Sequence, residues 1–399
     1  MRQIHSFLLA SLMVVSATVA RAQPVHDAID VPFDLNANHI YLRATVNGSR
    51  PLWFLLDTGA EMSVVDSTVA ASVGLTSVGS ATARGSGEGT MKAGFAQGVT
   101  LAVGRAVAKG QTVVTLPLDA LEPIDGRSID GILGHDFIAS FVVTIDYSQR
   151  RVSFRDPARF DSATIPAGER VPIEIVGGIP RIHGTVVLPG AETIDGVFTV
   201  DTGSRTALSL NTPFVRENAL VNRIAESSLD APYGFGIGGA TKTRVGRIDA
   251  FRIGVVKFEK PVIGFSFGEK GVDASSSIAG NIGGELMRRF RVTFDYGRKV
   301  MVLEPNAALD DPFRYDAFGA LLSLDGEAFL VRRVVEGSAA RRAGVREGDR
   351  IVGMDGVPAK RLTFEAVRQR LLDAGTWVRL RVEREGLVRD VRVKLRKLV

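Results

Sequence analysis

The sequence contains no cysteine. That excludes a disulfide framework, a thiolate nucleophile and any cysteine-ligated zinc site, so stability must come from packing. Histidine is scarce, with five in 399 residues. His5 belongs to the N-terminal leader, and His26, His39, His135 and His183 show no spacing of the H-E-x-x-H kind. No metal site and no cofactor are therefore expected. Aromatics make up 7% of the chain, and no basic run is interleaved with them; this argues against a nucleic-acid footprint. Beyond the N-terminus no apolar run is long enough to span a bilayer. The formal charge of +5 reads as a somewhat basic, solvated surface.

The first feature that is present is an address. Arg2 opens a short positive region, Phe7 to Val19 is apolar and rich in small residues, and Ala20-Arg21-Ala22 fits an A-x-A cleavage site. The pattern predicts a signal peptide over 1–22 and a mature start at Gln23. A periplasmic or secreted protein without stable membrane insertion is expected. The length predicts two or three domains.

The second feature is an internal duplication. Val31-Pro32-Phe33-Asp34-Leu35 is echoed by Val171-Pro172-Ile173-Glu174-Ile175, and Leu56-Asp57-Thr58-Gly59 by Val200-Asp201-Thr202-Gly203. Ile132-Leu133-Gly134 is echoed by Asn281-Ile282-Gly283, and Phe141–Tyr147 by Phe290–Tyr296. The echoes are collinear, with an offset that drifts only from 140 to 149 residues. Each copy carries short apolar or alternating runs bounded by Gly, Pro, Asn or Asp: Ile40–Val46, Thr112–Leu116, Phe141–Asp146, Arg181–Val187 and Val292–Asp295. These predict two β lobes, with short helices at Ser67–Val73 and Gly284–Arg289. Pseudo-two-fold symmetry would bring residues near the axis against their own counterparts.

In each copy an apolar strand runs straight into Asp-Thr-Gly. One Asp-Thr-Gly is an ordinary turn sequence; two at the same point of a repeat predict a carboxylate pair, Asp57 and Asp201. Thr58 and Thr202 are expected to bond across and lock the two turns, while Gly59 and Gly203 permit the tight backbone. Two carboxylates about 3 Å apart cannot both ionise, so the pair would share one proton. Ser204 follows the second motif and Ala60 the first. That difference predicts a Ser204 hydroxyl donating to the outer oxygen of Asp201, which would leave Asp57 to carry the proton.

These motifs resemble the aspartic proteases of the retropepsin and pepsin type. The resemblance covers about residues 31–305 and implies peptide-bond hydrolysis by an activated water. It implies an apolar-apolar-Gly segment behind each catalytic loop. Ile132-Leu133-Gly134 fits that pattern, and Asn281-Ile282-Gly283 departs from it at Asn281. It also implies hairpin flaps over the substrate. Phe235-Gly236-Ile237-Gly238-Gly239-Ala240 is similar to a flap tip, and Arg84–Gly89, with Gly85 and Gly87, is its first-lobe equivalent. The string Gly234–Gly239 also matches G-x-G-x-x-G, but it lacks the strand–helix setting of a dinucleotide site.

From about Phe318 the pattern changes. Phe329–Val335 reads as a strand, Glu336–Val345 as a turn and short helix, and Thr363 as the cap of a helix with Phe364, Val367, Leu371 and Leu372 on one face. Trp377–Val382 and Val388–Leu395 alternate as closing strands. Gly337-Ser338-x-Ala-x-x-Ala343-Gly344 followed by Gly348-Asp349 resembles the bacterial type of PDZ domain. That resemblance implies a peptide C-terminus added as a strand between a sheet edge and the longer helix. Its carboxylate would meet N–H groups near Phe318, Gly319, Ala320 and Leu321. Alternatively, the groove has no ligand but the protein's own lobes.

The fold expected is therefore mainly β: a signal peptide (1–22), two homologous aspartic-protease lobes (23–165 and 166–306), and a linker with a small α+β PDZ domain (307–399). Ala307–Asp316 is the expected linker. The function expected is an aspartic endopeptidase, its partners a protein or peptide substrate and peptide C-termini at the PDZ groove. Two alternatives stand beside it: a non-catalytic periplasmic peptide-binding or adaptor protein on the same fold, and a periplasmic serine protease with a PDZ module.

Overall fold

A computed structural model describes residues 28–224, 228–230 and 234–399. The leader, the cleavage site and His26 lie outside the described residues.

The duplication appears as two lobes joined by a shared sheet. Its six strands run in the order Ile29–Pro32, Arg151–Arg155, Val142–Asp146, Phe290–Asp295, Val300–Pro305 and Glu169–Pro172. The central pair is the repeat meeting itself. Val142–Asp146 lies antiparallel to Phe290–Asp295 with Thr144 opposite Thr293, and their hydroxyls are 2.8 Å apart. The pseudo-two-fold axis passes between these strands, so the other echoed pair, Val31-Pro32 and Val171-Pro172, falls at the two outer edges.

Each lobe adds a larger sheet. In the first, the strand Leu52–Leu56 pairs antiparallel with His39–Val46 and parallel with Gly131–Leu133. In the second, Thr193–Val200 pairs antiparallel with Ile179–Val187 and parallel with Gly280–Ile282. Strands covered on both faces read as continuous apolar runs, and Leu52, Phe54, Leu55 and Leu56 are all buried. One apolar core is continuous through both lobes. In the second lobe Phe198 packs edge-on to Phe251 with centroids 5.1 Å apart. Such contacts contribute about 0.5–1.5 kcal/mol each beyond area burial. Among the described residues no helix is long and apolar enough to cross a membrane.

The C-terminal unit has its own core and its own sheet, in the order Ala320–Asp325, Ala328–Val334, Arg350–Met354, Trp377–Arg384 and Leu387–Lys394. Its long helix, Phe364–Leu371, is capped by Thr363, whose hydroxyl accepts from the Ala366 amide at 3.1 Å. Phe364, Val367 and Leu371 are buried, as the 3.6-residue spacing predicts.

The segment Ala307–Asp316 differs from a free linker. Arg289, fully buried, donates to the carbonyls of Ala308, Leu309 and Asp311, and its guanidinium lies 3.8 Å from the ring centre of Phe313. Arg247 donates to the Phe313 carbonyl. A polar stretch looks loose in sequence. Here its carbonyls satisfy a buried cation, and that cation holds it against the second lobe.

Candidate active site

The two parallel strand pairs deliver the two aspartates. The Asp57 amide donates to the Leu133 carbonyl at 3.0 Å, and the Asp201 amide to the Ile282 carbonyl at 2.9 Å. The segments behind the loops are therefore in the same register, with Ile132 opposite Leu55 and Asn281 opposite Thr199.

The threonines interlock as predicted. The Thr58 hydroxyl donates to the Val200 carbonyl at 2.7 Å and accepts from the Thr202 amide at 3.0 Å. The Thr202 hydroxyl donates to the Leu56 carbonyl at 2.7 Å and accepts from the Thr58 amide at 3.1 Å. Both threonines are buried, so these four bonds fix the loops against each other without competition from water.

The glycines are required by proximity rather than by backbone angle. A Cβ on Gly59 would lie 2.6 Å from the Asp201 Cγ, and one on Gly203 would lie 2.4 Å from the Asp57 Cγ. Each loop thus presses its glycine against the other loop's carboxylate. The glycine amides also hold the carboxylates: Gly59 donates to Asp57 Oδ1 and Gly203 to Asp201 Oδ1, each at 2.8 Å.

The outer oxygens break the symmetry, but Ser204 is not the cause. Its hydroxyl pairs with Thr206 Oγ1 at 3.0 Å. The donor to Asp201 is Asn281, whose Nδ2 lies 2.7 Å from Asp201 Oδ2. The Thr199 hydroxyl donates to Asn281 Oδ1 at 2.8 Å, which turns the amide so that its NH2 faces the carboxylate. On the other side the equivalent residue is Ile132, which has nothing to donate. Burial pushes Asp57 well above the usual carboxylate range, and the charge and hydrogen bond of Asp201 push it further. The Gly59 and Gly203 amides pull the other way. The two carboxylates therefore sit in unlike surroundings, with the Asn281 amide on Asp201 and the Ile132 side chain at the matching position beside Asp57.

The two candidate flaps meet over the loops. The hairpin of Gly234–Gly236 and Gly239–Thr241 turns through Ile237-Gly238. The Gly87 amide donates to the Ile237 carbonyl at 3.0 Å and the Gly89 amide to the Gly238 carbonyl at 2.9 Å. Cβ atoms at Gly85 and Gly87 would collide with Ile237 and Gly238. Ile237 packs against the apolar cluster of the first lobe that includes Leu55, Ala60 and Ile132, so one flap tip reaches across the cleft.

Residues 42–137 match the aspartyl protease family model, and residues 330–384 match that of a PDZ domain. The chain combines an aspartyl-protease fold with a PDZ domain. No curated protein matches it. The aspartyl-protease match lies in the first copy, and the repeat relates the second lobe to it.

In the PDZ domain the amides predicted to receive a ligand carboxylate are occupied from within. Phe318 and Gly319 donate to the two oxygens of Asp316 at 2.9 and 2.8 Å, and the Ala320 amide bonds the same carboxylate. Burial raises Asp316 to about 6 against the pull of these three amides. Leu321 lies in the edge strand opposite Arg333. The loop is shaped for a carboxylate, but the sequence places one two residues before it.

The aspartyl-protease lobes also contain one G-x-S-x-G string, Gly264–Gly268. Ser266 ends the strand Val262–Ser266, is buried, and donates to Asp273 at 3.1 Å. It does not stand at the strand-to-helix elbow that a serine nucleophile needs.

Sequence reasoning missed three residues around the dyad. Asn281 looked only like a break in an apolar pattern. Asp125 and Arg205 carried no motif. Arg205, four residues past Asp201, donates to the buried carboxylate of Asp125 at 2.9 Å, and the Tyr41 hydroxyl donates to the same group at 2.8 Å. Burial pushes Asp125 up. The charges of His39 and Arg205 and the Tyr41 bond outweigh it and hold the carboxyl below the usual range.

Proposed function

We propose that this chain is an aspartic endopeptidase with Asp57 and Asp201 as its catalytic pair, acting in the periplasm or outside the cell. The observation that carries the reading is the reciprocal lock of the two Asp-Thr-Gly turns, which presses each loop's glycine against the other loop's carboxylate.

The chemistry follows from the unequal pair. Asp201, whose charge is supported by Asn281 and the Gly203 amide, takes a proton from a water as its oxygen attacks the scissile carbonyl carbon. Asp57 gives its proton to the carbonyl oxygen. The tetrahedral diol then collapses: the C–N bond breaks, the amine leaves with the proton held on Asp201, and Asp57 recovers a proton from a diol hydroxyl. An extended substrate beneath the flaps would bond to their backbone as an added strand.

The test is cleavage of denatured protein across pH 3–7 by the parent chain and by Asp57→Asn. Cleavage that disappears in the variant supports the reading. No parental cleavage, or cleavage that survives the substitution, would refute it and leave the binding-protein alternative.

A further inference from the structure

The PDZ domain is not free of the aspartyl-protease lobes. In the first lobe, Glu122–Asp125 forms a single helical turn with Pro123 inside it, N-capped by Leu121 and ended by Gly126. This turn lies along the strand Ala320–Asp325. That strand is the edge of the PDZ sheet and, among the described residues, pairs there only with Ala328–Val334. On its other side the turn meets the long helix. Arg368 donates to the carbonyls of Ile124 and Asp125, the latter at 3.0 Å. The Phe364 Cβ comes within 2.6 Å of where a Gly126 Cβ would stand. Glu365, one turn before Arg368 on the same helix, accepts from the Ala37 amide at 2.9 Å. The turn therefore fills the place between sheet edge and helix where an added peptide strand would lie, and Asp316 holds the amides that its carboxylate would need.

The same turn reaches the candidate active site from both ends. Leu121 packs in the cluster that receives the flap residue Ile237 and includes Leu55 and Ile132. Asp125 holds Arg205 of the second catalytic loop. A run of bonded groups leads from the PDZ helix to the residue four past Asp201: Arg368, the turn's carbonyls, the Asp125 carboxylate and Arg205.

We infer that the PDZ groove is occupied by the chain's own first lobe, and that this docking latches the flap closed. A peptide strand entering the groove must displace Glu122–Asp125. Displacement withdraws Leu121 from the apolar cluster against which Ile237 also packs, and lets the flap open. The occupant is thus a segment of this chain, and the external partner is an extended peptide able to compete with it. The effect on turnover rests on the protease reading; the docking does not.

Two substitutions on the half-buried face of the long helix that meets the first lobe remove its bonds and leave the lobes' own residues unchanged, Arg368→Ala and Glu365→Ala. Both retain good helix formers. In an Asp57→Asn background, amide exchange is followed over residues 121–126 and 320–325. Both segments should lose protection together in either variant, while Phe329, Val378 and Val391 of the PDZ core stay protected. Unchanged exchange in both segments would overturn the docking. Global loss of protection in one variant would shift the decision to the other. In the catalytically intact chain, each substitution should raise kcat/KM on heat-denatured casein by about five-fold or more, the lower range of a coupling of this kind. An unchanged or reduced rate would overturn the latch. A parent chain with no activity would remove the protease reading and leave the exchange result to decide the docking.

Discussion

The first and second lobes supply the same parts to the cleft and differ in what stands beside the outer oxygen of each aspartate. Both deliver an aspartate from a strand, brace it with a glycine amide at 2.8 Å, and lock it with a threonine bonded to the other lobe's backbone. Behind Asp57 stands Ile132; behind Asp201 stands Asn281. A duplicated scaffold gives two equivalent carboxylates, and equivalence alone does not say which keeps the proton. One amide in place of one sec-butyl group makes the pair unequal, and in the proposed mechanism it leaves the proton to Asp57.

The largest effect expected is on the pair itself. Asp57→Asn and Asp201→Asn should each lower kcat by about a thousand-fold or more, the scale seen when one member of a catalytic unit is removed. The two should differ in stability. Because Asp57 is raised above 3.8, the folded chain retains a proton that the unfolded chain releases as pH rises past that value. Stability from this group is full below pH 3.8 and falls as pH climbs toward the folded value. Asp57→Asn lacks that loss, so its urea midpoint should exceed the parent's by more at pH 7 than at pH 4. Equal margins at both pH values would contradict the assignment.

Next come the threonines. Thr58→Val and Thr202→Val each remove a buried hydroxyl and leave a backbone amide and a carbonyl without partners. Each should cost about 1–3 kcal/mol in chemical denaturation. Similar costs would sustain the symmetry of the lock, and a cost from only one would break it.

Asn281→Ile makes the second lobe like the first. It removes a bond to the charged form of Asp201, so the acidic limb of the kcat/KM profile should move to higher pH by about one unit, the scale of one charge-assisted bond. A limb that stays in place would remove Asn281 from the account. The smallest effect is that of Ser204→Ala. Its hydroxyl bonds Thr206, and the same limb should not move.

The dyad and the lobe architecture were legible because symmetry writes itself twice. A strand, Asp-Thr-Gly and an apolar segment at matched positions leave few other arrangements. The asymmetry was legible only in part. Ser204 sat beside the right aspartate and drew attention through adjacency. Asn281, 80 residues away along the chain, reaches the carboxylate through a parallel strand pairing that periodicity does not encode. The PDZ pattern was legible from its small residues, but Asp316 read as part of a polar linker. The docking of Glu122–Asp125 was invisible because it rests on backbone carbonyls, which every sequence has. The polar segment Ala307–Asp316 reads as a loose linker for the same reason, since what holds it is Arg289 bonding its carbonyls.

Whether Asp57 and Asp201 act as one group is decided by comparing Asp57→Asn, Asp201→Asn and the double variant on one substrate at one pH. A single unit predicts that the double variant is no slower than either single one, because each alone abolishes the shared proton. Losses that multiply, or a single variant that retains most of its activity, would contradict it.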